Sequence, residues 1–304
     1  MTSLSMSIKS VMLASLGASV LMLSACNKQA AETDAAPAAD ATTDAAPLNL
    51  KIATESSYKP FSYTDANGDV IGYEIDLTNA LCEQMQAKCE IISQDWDGLI
   101  PGLNAKKFDA IIAGMSITPE RQEVVDFTDP YFHSGIILIG KKGDDITVDG
   151  LKGIPVASQR ATVSAQYLQD SHAEADIKLY DTQDNAYLDL TSGRVRVMMS
   201  DKVTGVDWLK TEAGQGYEIK GAEISSPDGD AMGIAFRKSD PLVAKFNTAL
   251  GELKASGKYD EITDRYFGTS TTAAAQTATN NTVTAGEVDK VVVQEGDKVD
   301  VDAQ

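Results

Sequence analysis

Ala110 to Phe132 reads AIIAGMSITPERQEVVDFTDPYF. With the two residues before it, the front of this stretch is FDAIIAG, an apolar run closed by glycine and the pattern of a short buried strand. A little further on, Thr118-Pro119-Glu120 reads as a helix start: a capping threonine, then proline at the first helical position. A buried strand that hands the chain to a helix is the unit of an α/β protein. Arg121 then falls in the first helical turn, where the macrodipole disfavours a cation. That placement asks for an explanation from outside the helix.

Working outward, the same alternation runs through the chain from Leu48 to Gly268. LNLKIAT is a first strand, and GYEIDLTNALCEQMQAK carries Leu77, Leu81 and Met85 at helical spacing. CEIIS is a short strand. WDGLIPGLNAKK is helical, with its proline in an early turn. Beyond Phe132 come IPVAS, IKLY and VRVMMS as strands, with TVSAQYLQD, TQDNAYLDLTSG and DKVTGVDWLK as helices. MGIAFRK is a further strand, and PLVAKFNTALGELKAS places Leu242, Phe246, Leu250 and Leu253 on one helix face. Strands alternating with helices predict mostly parallel sheets covered on both faces. LIPGLNAKKFDAIIAGMS and YLDLTSGRVRVMMSD echo one another: helix, polar turn, buried strand, then Ser116 in one and Asp201 in the other. Two such units deliver polar groups to strand carboxyl ends, where open α/β sheets bind ligands.

The flanks differ. Lys9 precedes VMLASLGASVLML, too short an apolar run for a comfortable membrane span and read as a targeting segment. LSAC follows, ending at Cys26. Asn27 to Pro47 is Ala, Asp, Thr and Pro, a flexible tether with almost nothing to bury. From Thr269 to Gln304 the composition is low in complexity and then acidic, a disordered tail. Cys82 and Cys89 remain as a pair that can form a disulfide outside the cytosol. The alternative is two free thiols. The closed loop is small, so a bond there stabilises by only ~2 kcal/mol.

The net charge of −19 argues against nucleic acid as partner. His133 and His172 match no zinc spacing, and no metal or cofactor is expected. There is no nucleophile elbow, phosphate loop, dinucleotide fingerprint or H-E-x-x-H. What remains suits an amino acid. Arg121 offers a fork for a carboxylate, helped by free N–H groups of the first turn; otherwise it pairs with Glu120 or Glu123. Asp201, at the end of VRVMMS, can meet an ammonium or simply cap the next helix. Tyr58 and Trp96 can flank a ligand side chain or belong to the core. Glu55 near Tyr58 favours a cationic side chain.

In order along the chain, YKPFSYTDANGDVIGYEIDL, WDGLIPGLNAKKFDAIIAGMSITPERQ, VDFTDPYF, LDLTSGRV and GIAFRK resemble the bacterial solute-binding proteins of polar-amino-acid ABC importers. The arginine, lysine/arginine/ornithine and histidine binders are the nearest group. LCEQMQAKC is similar to the disulfide loop of its basic-amino-acid members, and LSAC resembles a lipoprotein signal, which implies a lipid on Cys26; an ordinary secretory peptide is the alternative. The resemblance implies a two-lobed periplasmic-binding-protein fold (type II), each lobe a mixed sheet flanked by helices, with two crossing hinge strands. Lobe one would be residues 48–132 and 231–268, and lobe two residues 133–230. It implies that Arg121, Ser116 and Thr162 hold the ligand carboxylate, Asp201 the α-ammonium and Glu55 a basic side chain. Tyr58 and Trp96 would flank that side chain, and Ala113, Gly114 and Met115 would line the wall. A monomer that is not an enzyme, capturing an amino acid by lobe closure for an ABC permease, is the expected function. A binder of glutamine or cystine, a periplasmic dehydratase and a sensor domain are the alternatives. Three residues depart from the family pattern: Ala161 stands where glycine is usual, Arg160 beside it adds a positive charge that would disfavour a cationic ligand, and Arg196 stands where aspartate is common.

Overall fold

The computed structural model describes residues 47–225 and 229–268. The targeting segment, nearly all of the tether and the acidic tail lie outside them. Two five-stranded sheets organise the chain. In the first, strand Asn49–Thr54 pairs in parallel with Lys88–Ser93 on one side and Ala110–Ile111 on the other. Strand Ala235–Arg237 then fits antiparallel between Ala110–Ile111 and Val125–Phe127. In the second sheet, Pro155–Gln159 lies parallel to Asp176–Tyr180 and to Val197–Asp201. Ile136–Lys141 runs antiparallel between Val197–Asp201 and Tyr217–Ile219. Both sheets are therefore mixed rather than mostly parallel. The strands made just after each crossing enter from the opposite end and complete the sheet in the other direction.

The chain crosses from the first lobe to the second through Phe132–His133 and returns through Ala231–Met232, which pair antiparallel. MGIAFRK is thus two strands and not one. Gly233 divides them, and a Cβ there would come within 2.9 Å of Ile117.

Each lobe's core follows from the two-residue period of its strands. Ala110 and Ile112 face one cluster with Leu50, Ile52, Leu77, Leu81, Phe246 and Leu250, while Ile111 faces another with Leu99, Leu103 and Val125. In the second lobe Val197 and Met199 join Ile136 and Leu138, whereas Met198 joins Ile137, Ile139 and Leu190. Both faces are apolar, so the strands read as continuous hydrophobic runs.

Helix Tyr73–Gln84 buries Leu77 and Leu81 as their spacing predicts. Helix Leu99–Asn104 accommodates Pro101 in its first turn, where no N–H is needed. Several elements enter only with the structure, among them strands Val125–Phe127, Ile136–Lys141 and Tyr217–Ile219, the small sheet of Ser57–Tyr58, Ser62–Thr64 and Val70–Ile71, and helix Lys258–Phe267. Helix Lys258–Phe267 packs its Tyr259 and Ile262 onto the first lobe's core. The sulfurs of Cys82 and Cys89 stand at bonding distance, with Cα atoms 6.2 Å apart, joining the end of helix Tyr73–Gln84 to strand Lys88–Ser93.

Candidate functional site

Strands Asn49–Thr54, Pro155–Gln159 and Val197–Asp201 point their carboxyl ends toward the space between the lobes, as parallel strands do in α/β binding sites. Glu55 follows the first directly, Gln159 ends the second, and Asp201 ends the third. Past strand Ala110–Ile111 the chain turns at Gly114, in the left-handed region at φ 58°. This exposes Ala113, Gly114 and Ser116 to the same space. Together with Tyr58, Trp96, Arg121, Thr162 and Val163 these residues line one cleft.

Arg121 sits where its chain position predicted trouble, and the structure shows what engages it. Thr118 caps the six-residue helix Pro119–Val124 by accepting from the Arg121 N–H at 3.2 Å. That N–H is therefore not free for an anion, and any such role falls to the guanidinium alone. The side chain leaves the helix surface altogether. Its Nη1 donates to the Ser116 carbonyl at 2.8 Å, and its Nη2 reaches across to the Ala161 carbonyl of the second lobe at 3.0 Å. The guanidinium lies over the Trp96 ring, 5.3 Å from its centroid. Trp96 Nε1 donates to the same Ala161 carbonyl at 3.2 Å.

The opposite pole is acidic and buried. Asp201 is 6% exposed, and the Tyr58 hydroxyl donates to it at 2.5 Å. It begins helix Lys202–Leu209 but gives that helix no side-chain cap, so its carboxylate is committed to the cleft. Burial raises its pKa to about 6, against the lowering effects of the Tyr58 hydrogen bond and the Arg121 charge. Glu55 is 3% exposed and accepts from Ser57 at 2.9 Å and from Gln159 Nε2 at 2.8 Å. Burial lifts it to about 7, and the nearby Asp184 and Asp95 add to the rise.

Tyr58 is fixed from both sides. It stacks on Phe61 with ring centroids 5.3 Å apart. Gly114 lies so close beneath it that a Cβ would come within 2.4 Å of the Tyr58 ring. Glu74, fully buried, accepts from the Gly114 N–H at 2.6 Å and from the Tyr131 hydroxyl, and so ties the Gly114 turn to the core. Burial pushes Glu74 up to about 7.

Two expectations change. Met115 does not line the cavity: it packs in the cluster of Leu99, Leu103 and Val125, because the left-handed turn at Gly114 sends the next side chain into the core. Arg160 does not point a positive charge into the site. It is engaged by Asp97, at 3.1 Å, and by Asp181, and it is absent from the cavity wall. Ala161 accepts the left-handed conformation of the usual glycine, at φ 55°, so the turn is kept. The Thr162 hydroxyl donates to the Gln159 carbonyl at 2.7 Å and caps helix Val163–Ser171, while its carbonyl accepts from the Gln166 N–H, so a ligand would meet its backbone N–H.

Sequence reasoning missed Gln159, Val163 and Glu74. Gln159 ends a recognisable strand, which was the available signal. Glu74 looks like an ordinary first-turn acid favoured by the helix dipole. Among the described residues no cluster of His, Cys, Asp and Glu is arranged to hold a metal, and no helix is long and apolar enough to cross a membrane.

A cleft between two mixed α/β lobes, joined by paired crossing strands and lined by opposed charges, defines a hinged small-molecule binder. The chain belongs to the bacterial extracellular solute-binding proteins, family 3, whose profile matches residues 50–269. It is 38% identical over 221 residues to ABC transporter arginine-binding protein 1 of Escherichia coli (strain K12), covering 72% of this chain and 90% of that one. It is 39% identical over 231 residues to the lysine/arginine/ornithine-binding periplasmic protein of the same organism, covering 73% and 89%. A solved periplasmic binding protein of Salmonella typhimurium, described for high arginine specificity, superposes with TM-score 0.69 at 36% identity, covering 72% of this chain and 99% of that one.

Proposed function

We propose that this protein captures an amino acid with a cationic side chain, arginine or lysine foremost and ornithine or histidine within the same class, and delivers it to an ABC importer. The observation that carries the reading is the opposition of charge across one small cavity. Arg121 stands at one pole, with Asp201 and Glu55 at the other. In this reading the ligand carboxylate takes the Arg121 fork with help from Ser116 and the Thr162 backbone. The α-ammonium displaces the Tyr58 hydroxyl from Asp201. The side chain lies between Tyr58 and Trp96, and its cation meets Glu55. Binding, not turnover, is the role: the groups present grip a zwitterion, and the relatives named above are binding proteins.

Ligand bridging both walls shifts the lobes toward the closed arrangement, which a permease then recognises. The lobes divide near Phe132/His133 and Asp230/Ala231. Cys26 carries the lipid that holds a monomeric carrier at a membrane, a proposal that rests on LSAC alone; a Cys26→Ala chain found still in the membrane fraction would remove it. Calorimetry with the twenty common amino acids and ornithine tests the main reading. Arginine or lysine should bind at micromolar affinity or better. Glutamine binding more tightly than every cation would overturn the role of Glu55, and no binding at all would overturn capture.

A further inference from the structure

The loop joining strand Pro155–Gln159 to helix Val163–Ser171 touches the first lobe with three consecutive residues. The Gln159 side chain reaches Glu55, Arg160 reaches Asp97, and the Ala161 carbonyl accepts from Arg121 and Trp96. The left-handed backbone at Ala161 makes this possible by turning its carbonyl and the preceding side chain in different directions. Gln159 and the Ala161 partners belong to the cavity wall, but Arg160 does not. Its guanidinium is shared: Nη2 is held by Asp181 of its own lobe, and Nη1 bonds Asp97 of the other at 3.1 Å. Asp97 lies in the single turn Trp96–Gly98, next to the indole that covers Arg121.

We propose that Arg160 is an outer latch of the cleft, a positioning residue that touches no ligand but holds the lobes together over it and slows its release. Asp181 fixes the guanidinium in place, so less side-chain freedom is lost when Asp97 engages it. The pair is half-exposed, 43% for Arg160 and 45% for Asp97, so water and salt weaken it and its effect is a few-fold rather than a hundred-fold. Because the pair spans the two lobes and touches no ligand, the latch acts on the rate of opening and not on the encounter with ligand.

The inference rests on the capture reading, and its test separates the two. Arginine release is followed by stopped-flow tryptophan fluorescence for the native protein, Arg160→Gln, Asp97→Asn and the double variant. In low salt each single variant should release roughly three to five times faster, with the association rate within about twofold of native. The double variant should be no faster than either single one, because both remove the same contact. In about 0.5 M salt the difference should vanish. Additive effects, a difference that persists in high salt, or unchanged release each overturn the latch. Should the native protein bind no amino acid, the capture reading falls, and small-angle scattering decides the latch alone. The native protein must then be more compact than Arg160→Gln in low salt and equal to it in high salt, and equal compactness in both overturns the proposal.

Discussion

The two poles of the cleft hold their charge in different ways. Arg121 keeps its guanidinium at the surface of the first lobe, paired with carbonyl oxygens and an aromatic face, and an arginine stays protonated at any physiological pH. Glu55 and Asp201 are almost completely buried, and burial brings their titration to about 7 and about 6. The anion-binding end is therefore indifferent to pH, whereas the cation-binding end is poised to exchange a proton. The lesson is that a carboxylate kept from water is costly as an ion until a cation arrives, so the ligand itself completes the charge balance.

The largest test removes the pole that cannot adapt. Arg121→Ala should weaken arginine binding by several hundred-fold, since about 3 kcal/mol or more of charge-assisted hydrogen bonding is lost, while the thermal transition stays cooperative; near-native affinity by calorimetry would show that the carboxylate is held elsewhere. Asp201→Asn should cost roughly 100-fold for every amino acid alike, because the α-ammonium is common to all. An effect confined to basic ligands would reverse the roles given to Asp201 and Glu55. Glu55→Gln should cost about 30-fold for arginine and less than about threefold for glutamine, a selective change that separates side-chain recognition from zwitterion recognition.

The smallest effect is that of pH, and its sign is fixed by the direction of the shifts. Below about 7 for Glu55 and about 6 for Asp201 the carboxyls are protonated and must lose their protons to meet a cation. Arginine affinity should fall roughly fourfold from pH 7.5 to 6.5, with proton release on binding at pH 6.5. Calorimetry in buffers of different ionisation enthalpy reads that release; proton uptake would contradict the picture. The same raised values make the ligand-free fold relatively more stable at low pH, a contribution lost as pH rises through 7.

Much of this arrangement is legible in the residues. Alternating apolar runs and helical spacings place most strands and helices, since strands buried on both faces leave a strong hydrophobic signal. The opening anomaly of Arg121 is also visible, because a cation in a first turn conflicts with the dipole. The rest depends on relations that no local pattern carries. Gly114 and Met115 are neighbours, yet one lines the cavity and the other the core, because a left-handed backbone reverses the direction of the next side chain. Arg160 reads as a charge near the ligand, but its partners Asp97 and Asp181 come from separate segments. Gln159 and Glu74 function through contacts made 104 and 40 residues away, to Glu55 and to the Gly114 N–H.

One feature of the topology sets an order of assembly. Every strand of the second sheet lies between Ile136 and Ile219, a single run of chain. The first sheet waits for Ala235–Arg237, which must slot between strands made more than a hundred residues earlier, and for the helices ending at Phe267 that cover it. A chain delivered amino end first thus finishes its second lobe while its first still has a gap in the middle.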